Sequence, residues 1–117
     1  MKEIDGYLDI IDSRDIETRI DYLESLENER DEDEQEELDN IINLRDSVLS
    51  SEWKHGLTLI NDSYFVDYVR ETAEDCGDIS RNLPSYIEID WDSTADNVKV
   101  DYSKVEFDGS TFYYFNY

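Results

Sequence analysis

Carboxylates are the side chains through which this chain could do chemistry. Its 117 residues include 32 Asp and Glu against 10 Lys and Arg, which gives a formal net charge of −22. Paired carboxylates catalyse glycoside and peptide hydrolysis, but almost any two acids in this chain could be paired, so their number indicates no active site. One histidine and one cysteine exclude an intrachain disulfide and the usual zinc ligand sets.

The other chemical motifs are weak. His55 lies in a connector without a nucleophile motif, and Cys76 lies on a predicted apolar helix stripe, where we expect it to be core. Asp90 and Asp101 would occupy the first and twelfth positions of a calcium loop, but Ala95 occupies the sixth position, which requires glycine. The four glycines lie too far apart for a phosphate loop. We therefore expect no enzyme, no metal and no cofactor.

The acidic excess also limits the partners. A surface this negative repels phosphate and offers no basic stripe, so we expect no direct binding to nucleic acid. No segment approaches the roughly 20 apolar residues that span a bilayer, and the N-terminus lacks the apolar run of a signal peptide. Aromatic residues make up 13% of the chain, which is not typical of a disordered acidic tail. We expect a folded, soluble, intracellular domain.

The first half of the chain shows helical periodicity. Asp12 or Ser13 can cap a helix over about 13–28, whose apolar residues recur three and four apart. The acidic run 29–37 interrupts this pattern, which resumes with a second apolar set ending near 49. The simplest interpretation is an antiparallel helical hairpin over 1–52 that protrudes from the rest of the domain.

The second half, 53–117, combines helices with strands. The apolar run 57–60 is compatible with either a strand or a buried turn. Asn61-Asp62-Ser63 then caps a helix with a stripe formed by Phe65, Val69 and Cys76, which Gly77 closes.

Pro84 predicts a loop after that helix, and Asp90 caps a short helix that carries Trp91. Two segments rich in aromatic and β-branched residues, joined by Asp108-Gly109, predict a C-terminal β-hairpin. The expected fold is α+β, with the acidic helical hairpin, central helices and the β-hairpin in one small domain.

The spacing of the acids carries more information than their number. On the helix after Asn61, four acids follow at steps of four, three and four, and three acids form a second row on the first helix. Neighbours at these steps lie about 5–6 Å apart, and 22 net charges match those on about 37 Å of duplex DNA. Solubility needs a net charge of only about 2–8. The excess favours a surface that mimics DNA phosphates over a merely solvated face, with some tyrosines assisting the interface.

The candidate phosphate-mimicking residues lie on the predicted helices and just beyond them. They are Glu17, Asp21, Glu24, Glu36, Asp39, Asp67, Glu71, Glu74, Asp78, Asp90, Asp92, Asp96 and Asp101.

Residues 60–117 resemble the C-terminal part of ArdA-type antirestriction proteins, small acidic proteins of phages and mobile elements. The resemblance is carried by Tyr64-Phe65-Val66-Asp67-Tyr68, Ala73-Glu74-Asp75, Ile89-Asp90-Trp91-Asp92, Asp101-Tyr102 and Phe107-Asp108-Gly109. ArdA-type proteins are elongated dimers that mimic bent DNA and occupy the DNA site of type I restriction-modification enzymes. The resemblance implies a DNA mimic that acts in the cytoplasm of a bacterial host. Its target would be such an enzyme or another DNA-binding protein, such as a CRISPR effector, a nucleoid protein or a repair glycosylase.

The chain departs from that family at its N-terminal end. It is shorter than typical ArdA proteins, and 1–52 takes the place of their N-terminal domains, so neither the target nor the homodimer follows from the resemblance. The alternative function is an acidic adaptor whose helical hairpin pairs with a partner helix through Leu38, Ile41, Ile42 and Val48.

Overall fold

A computed structural model describes residues 3–80 and 82–117, and it has the predicted α+β fold. The described chain contains five helices and four strands. In chain order they are β1 (Ile10–Asp12), α1 (Ser13–Ser25), α2 (Glu32–Ser47), α3 (Trp53–Gly56), β2 (Thr58–Asn61), α4 (Asp62–Asp75), α5 (Trp91–Lys99), β3 (Tyr102–Phe107) and β4 (Ser110–Phe115), with a single 3-10 turn at Glu27–Glu29 between α1 and α2.

The four strands form one antiparallel sheet in the order β1-β2-β4-β3. The predicted C-terminal hairpin is confirmed, and its turn places Asp108 and Gly109 at positive φ angles of 48° and 80°. The run 57–60 is mainly strand, because β2 pairs with β1 on one side and with β4 on the other. Strand β1 was not predicted, since three residues are too few to show a period of two.

Both faces of the sheet are covered by helices. Leu59, Phe112 and Tyr114 pack with the α1–α2 hairpin in one core cluster, whereas Ile60 and Tyr113 pack with α4 and α5 in a second cluster. Neighbouring residues of one strand point to opposite faces of a sheet, and this alternation separates the two clusters. The domain therefore has three layers, with the sheet in the middle.

The antiparallel helical hairpin is confirmed, but the prediction that it protrudes is wrong. Its apolar residues share one buried cluster with the sheet, because the exposed face of four strands needs a cover. Helix α1 ends at Ser25, before the predicted 28, since Glu27 adopts a positive φ of 49°. Of the residues assigned to the alternative adaptor function, Leu38, Ile41 and Val48 are buried and Ile42 is partly buried. They are core residues and present no free docking surface.

Helix α4 starts and ends near the predicted residues. The Asn61 side chain accepts a hydrogen bond from the Ser63 amide at 3.1 Å, and Gly77 has a positive φ of 79°. The prediction that Cys76 lies in the core is wrong, because the apolar stripe is buried only at Phe65 and Val69 and Cys76 is exposed beyond the last turn.

The molecule is elongated. Its principal extents are 60 × 26 × 21 Å and its radius of gyration is 17.0 Å, against about 13 Å for a compact domain of this length. Among the described residues, every helix is too short or too polar to cross a bilayer.

Candidate functional site

The acidic surface is formed by carboxylates on the outer sides of the two helical layers. Each helix turns its apolar stripe toward the sheet, so its acidic side faces solvent. The predicted residues that are exposed on the helices are Asp21 and Glu24 of α1, Glu36 and Asp39 of α2, Asp67 and Glu71 of α4, and Asp92 and Asp96 of α5.

The predicted row on α4 is shorter than expected. Asp67 and Glu71 are exposed and Glu74 is half-buried on the helix, but Asp78 lies beyond its end at Asp75. The chain leaves the helical path at Gly77, so Asp78 does not continue the spacing of the row, although it remains exposed. The structure thus gives a row of three carboxylates followed by an acid in the loop.

Two members of this row have local partners. Glu71 accepts a hydrogen bond from the Tyr64 hydroxyl at 2.6 Å, and Glu74 forms an ion pair with Arg70 at 3.1 Å. The hydrogen bond to Glu71 raises the pKa of Tyr64 to about 12. The sequence analysis named Tyr64 only among the residues that carry the family resemblance and gave it no contact with the acids, although its spacing of seven residues from Glu71 places the two on one helix face.

The row on α1 is divided between surface and interior. Asp21 and Glu24 are exposed, but Glu17 is half-buried and accepts a hydrogen bond from the Trp53 indole Nε1 at 2.8 Å. Glu17 also lies 3.9 Å from the guanidinium of Arg45. These contacts connect helices α1, α2 and α3. Glu17 therefore has a structural role that its position in the predicted acidic row did not indicate.

The acids near α5 also differ in their environment. Asp90 caps the helix by accepting hydrogen bonds from the Ser93 amide at 3.0 Å and hydroxyl at 2.9 Å. The Ser93 amide and hydroxyl hold the pKa of Asp90 below its usual range. Asp92 and Asp101 are exposed, and Asp96 lies 3.9 Å from the Lys99 ammonium group.

On α2, the two predicted acids lie on the solvent side. Glu36 and Asp39 are exposed, and Asp39 accepts a hydrogen bond from the Gln35 side-chain amide at 3.0 Å. Around them, the N-terminal turn of α2 is also acidic, with Asp31 and Glu34 forming a reciprocal capping box. Negative charge at a helix N-terminus is favourable, which offsets part of the repulsion there.

Several basic side chains form hydrogen bonds or ring contacts within the domain. The Arg19 guanidinium donates to buried Glu37 at 2.7 Å, and Arg30 donates to the Leu23 carbonyl at 2.8 Å. Lys99 is mostly covered and lies 4.9 Å from the centroid of the Tyr113 ring. Cations in these positions do little to neutralise the exposed carboxylates, so the surface of the helical layers stays strongly negative.

The two groups of acids lie on opposite sides of the molecule. The rows of α1 and α2 belong to the layer on one face of the sheet, and those of α4 and α5 belong to the other. Within the second layer, α4 and α5 are in contact, and both helices carry exposed acids on this side of the sheet. Among the described residues, no three His, Cys, Asp or Glu side chains are grouped so as to hold a metal ion.

Comparison with known proteins identified no relative of this chain. No protein-family model, no curated protein and no solved structure matches this chain. The resemblance to ArdA-type proteins therefore remains an expectation from the residues that carry it.

Proposed function

We propose that this protein is a DNA mimic that occupies the DNA-binding site of another protein. The observation that carries the proposal is the distribution of 22 net negative charges over a body 60 Å long. The mean spacing is one net charge per about 2.7 Å of the long axis, against roughly 1.7 Å for duplex DNA. A basic channel that binds duplex DNA would therefore meet a comparable density of charge on this domain.

The mechanism needs no catalysis. Exposed carboxylates enter the basic channel of the target, and both surfaces release counterions when they meet. Some bases that could weaken this attraction are directed inward, as Arg19 and Arg30 show, and the exposed bases, such as Lys54, Arg70 and Lys104, are outnumbered by exposed acids. Since the attraction is screened over about 8 Å at physiological ionic strength, the binding is expected to fall steeply as salt is added.

The proposed class of target follows from the negative surface, which would fit a basic DNA-binding channel, and from the resemblance to ArdA-type proteins. We infer a protein of a phage or mobile element that acts in the cytoplasm of a bacterial host. Its target is a defence enzyme with a basic DNA channel, of the type I restriction-modification or CRISPR class. Direct contact with nucleic acid is disfavoured by the same charge.

The test is capture followed by two separate elutions. The immobilised protein is exposed to a bacterial lysate, and bound proteins are eluted either with rising salt or with duplex DNA and identified by mass spectrometry. Mimicry predicts that the same DNA-binding protein leaves the resin under both conditions. Bound proteins that resist both high salt and DNA would contradict the proposal.

Two charge-matched variants show whether a particular surface is responsible. One carries Asp67→Asn, Asp92→Asn and Asp96→Asn in the α4–α5 layer, and the other carries Asp21→Asn, Glu24→Gln and Asp39→Asn in the α1–α2 layer. Both lose three negative charges and keep the side-chain shapes. We expect one variant to bind the captured protein at least tenfold more weakly than the other, with Cys76→Ser unchanged. If neither variant weakens binding, the carboxylates are not the contact surface and the proposal fails.

A further inference from the structure

A groove beside Trp53 has a composition unlike the rest of the surface. It encloses about 550 Å³ and is lined by Arg14, Glu17, Arg45, Trp53 and Lys54. We propose that this groove binds a small organic anion with one negative charge and a planar apolar body. Ligand sites of this kind measure about 300–1,000 Å³ and combine apolar walls with a few polar groups that orient the ligand.

The charge of the groove is the first argument. Three of its five lining residues are bases and one, Glu17, is an acid. Arg14 pairs with Asp12, and Arg45 pairs with Glu17 and Asp46, so these two arginines offer their remaining N–H groups and not an unpaired charge. The three bases come from three different helices, since Arg14 belongs to α1, Arg45 to α2 and Lys54 to α3. Lys54 is exposed and forms no ion pair with any described residue, so its ammonium group is free to meet a ligand.

Three of the lining residues, Glu17, Arg45 and Trp53, are held in place by a chain of contacts. The Trp53 indole donates to Glu17 at 2.8 Å, Glu17 lies 3.9 Å from Arg45, and Arg45 lies 3.4 Å from Asp46. Trp53 itself is buried in the core, with 9% of its surface exposed. Side chains fixed in this way lose little conformational entropy when a ligand binds, so the groove is preorganised.

Arg14, a fourth lining residue, is held by separate contacts. Its guanidinium donates to both carboxylate oxygens of Asp12, at 3.2 and 2.8 Å. It also lies against Gly56, where a Cβ atom would come within 2.7 Å of Arg14 Nε. The absence of a side chain at Gly56 therefore makes room for Arg14, whose planar group can stack on an aromatic ligand while it bonds a carboxylate.

The protein's own field decides which anion fits. A net charge of −22 repels every anion, and the repulsion grows with the charge of the ligand, whereas apolar contact with the groove does not. Inorganic phosphate, which carries between one and two negative charges near neutral pH and has no apolar body, is therefore disfavoured. An aromatic monocarboxylate meets the unpaired Lys54 and the remaining N–H groups of Arg14 and Arg45 with the least repulsion, and its ring lies against the apolar part of the groove.

The test uses three small probes and the Trp53 indole N–H resonance in a two-dimensional NMR titration. The probes are 1-naphthoate, the neutral analogue 1-naphthylmethanol and inorganic phosphate. We expect 1-naphthoate to shift the Trp53 resonance with saturation in the millimolar range or below, and the other two to bind at least tenfold more weakly. Equal binding of 1-naphthoate and its neutral analogue, or no shift of the Trp53 resonance by 1-naphthoate, would overturn the proposal.

Variants locate the bound anion. Lys54→Ala and Arg45→Lys should each weaken the binding of 1-naphthoate several-fold, and Lys54 lies outside the contact chain that supports Trp53. Lys104→Ala is the matched control, because Lys104 is an exposed base on β3 and the removed charge is the same. An equal loss in Lys54→Ala and Lys104→Ala would show that only net charge matters and would contradict a site at this groove.

Discussion

At the scale of single residues, the most consequential polar contact is internal. Arg19 and Glu37 join α1 to α2 through two hydrogen bonds of 2.7 and 2.8 Å, and their side chains are only 11% and 6% exposed. Glu37 also accepts a bond from the Ile4 amide at 3.2 Å. The Glu37 carboxylate holds the pKa of Arg19 above its usual value. One base thus neutralises an acid that would otherwise be buried alone.

We expect Arg19→Ala to lower the free energy of unfolding by about 3–5 kcal/mol, because a buried charge is left without its partner. Urea unfolding measures the change. The matched control is Arg70→Ala, which removes an exposed ion pair and should cost about 0.2–1 kcal/mol. Similar losses in the two variants would mean that the Arg19–Glu37 pair is as solvated as a surface pair.

The Tyr64–Glu71 contact gives a prediction about pH. Because the pKa of Tyr64 is raised to about 12, above the usual value of about 10, its contribution to stability is complete below about pH 10 and is lost as the pH rises through about 12. Glu71→Ala should return the Tyr64 pKa toward its usual value. An ultraviolet titration of the phenolate, with Tyr64→Phe to identify its signal, checks this. An unchanged titration curve in Glu71→Ala would show that the hydrogen bond does not persist in solution.

At the scale of elements, the segment before β1 is fastened to the C-terminal hairpin. The Gly6 amide donates to Asp108 at 2.9 Å, and the Gly6 carbonyl accepts from Ser110 at 2.7 Å and from Asn61 at 2.9 Å. A Cβ atom at Gly6 would lie 2.5 Å from the Asp108 carbonyl oxygen. The close approach of two backbone segments therefore requires glycine at this position.

We expect Gly6→Ala to destabilise the protein by about 1–3 kcal/mol, because the backbone of the β3–β4 turn must move to admit a methyl group. Tyr7→Ala serves as the neighbouring control, since Tyr7 is 91% exposed and its loss should cost less than about 0.5 kcal/mol. Thermal unfolding of both variants gives the comparison. A Gly6→Ala protein as stable as the Tyr7→Ala protein would contradict the tight contact.

The end of α4 gives a second prediction for an element. Cys76 is exposed beyond the helix. We therefore expect its thiol in the folded protein to react with a disulfide reagent at a rate within about tenfold of that of a cysteine in a short peptide. Cys76→Ser should change the free energy of unfolding by less than about 0.5 kcal/mol. Reaction only after denaturation would instead restore the sequence-based prediction that Cys76 is buried.

At the scale of the whole molecule, self-repulsion opposes the fold. Exposed carboxylates cover both helical layers, and like charges three and four residues apart destabilise the helices that carry them. The two apolar clusters on the faces of the sheet must offset this repulsion. Both outer sides therefore carry more negative charge than stability favours, as the proposed binding function requires.

We expect the unfolding temperature to rise by several degrees between about 0.01 M and 0.5 M NaCl, because salt screens the repulsion between exposed carboxylates. Differential scanning calorimetry measures the shift. The triple Asp67→Asn, Asp92→Asn, Asp96→Asn variant should show a smaller rise, since less repulsion remains to be screened. A midpoint that is independent of salt would mean that the acids are too far apart to interact.

Sequence patterns predicted the elements whose signals are local. Asn61 and Gly77 bounded α4, Asp90 capped α5, and Asp108-Gly109 joined the strands of the C-terminal hairpin, because caps and turns depend on a few neighbouring residues. The net charge and the acidic rows were also readable, since they depend on composition and on the helical repeat. Predictions based on the helical repeat were wrong near the end of α4, at Cys76 and Asp78, because the chain is no longer helical there.

Only the tertiary structure decided which helices cover which face of the sheet. The three residues of β1 became a strand by pairing with β2, and the α1–α2 hairpin became a cover for the sheet instead of a protrusion. Long-range contacts also gave Glu17 its partner Trp53, 36 residues away, and placed the two groups of acids on opposite layers. Such contacts arise when apolar faces of distant segments are buried together. The apolar pattern of one segment shows that the segment has a buried face, but it does not determine which other segment will pack against that face.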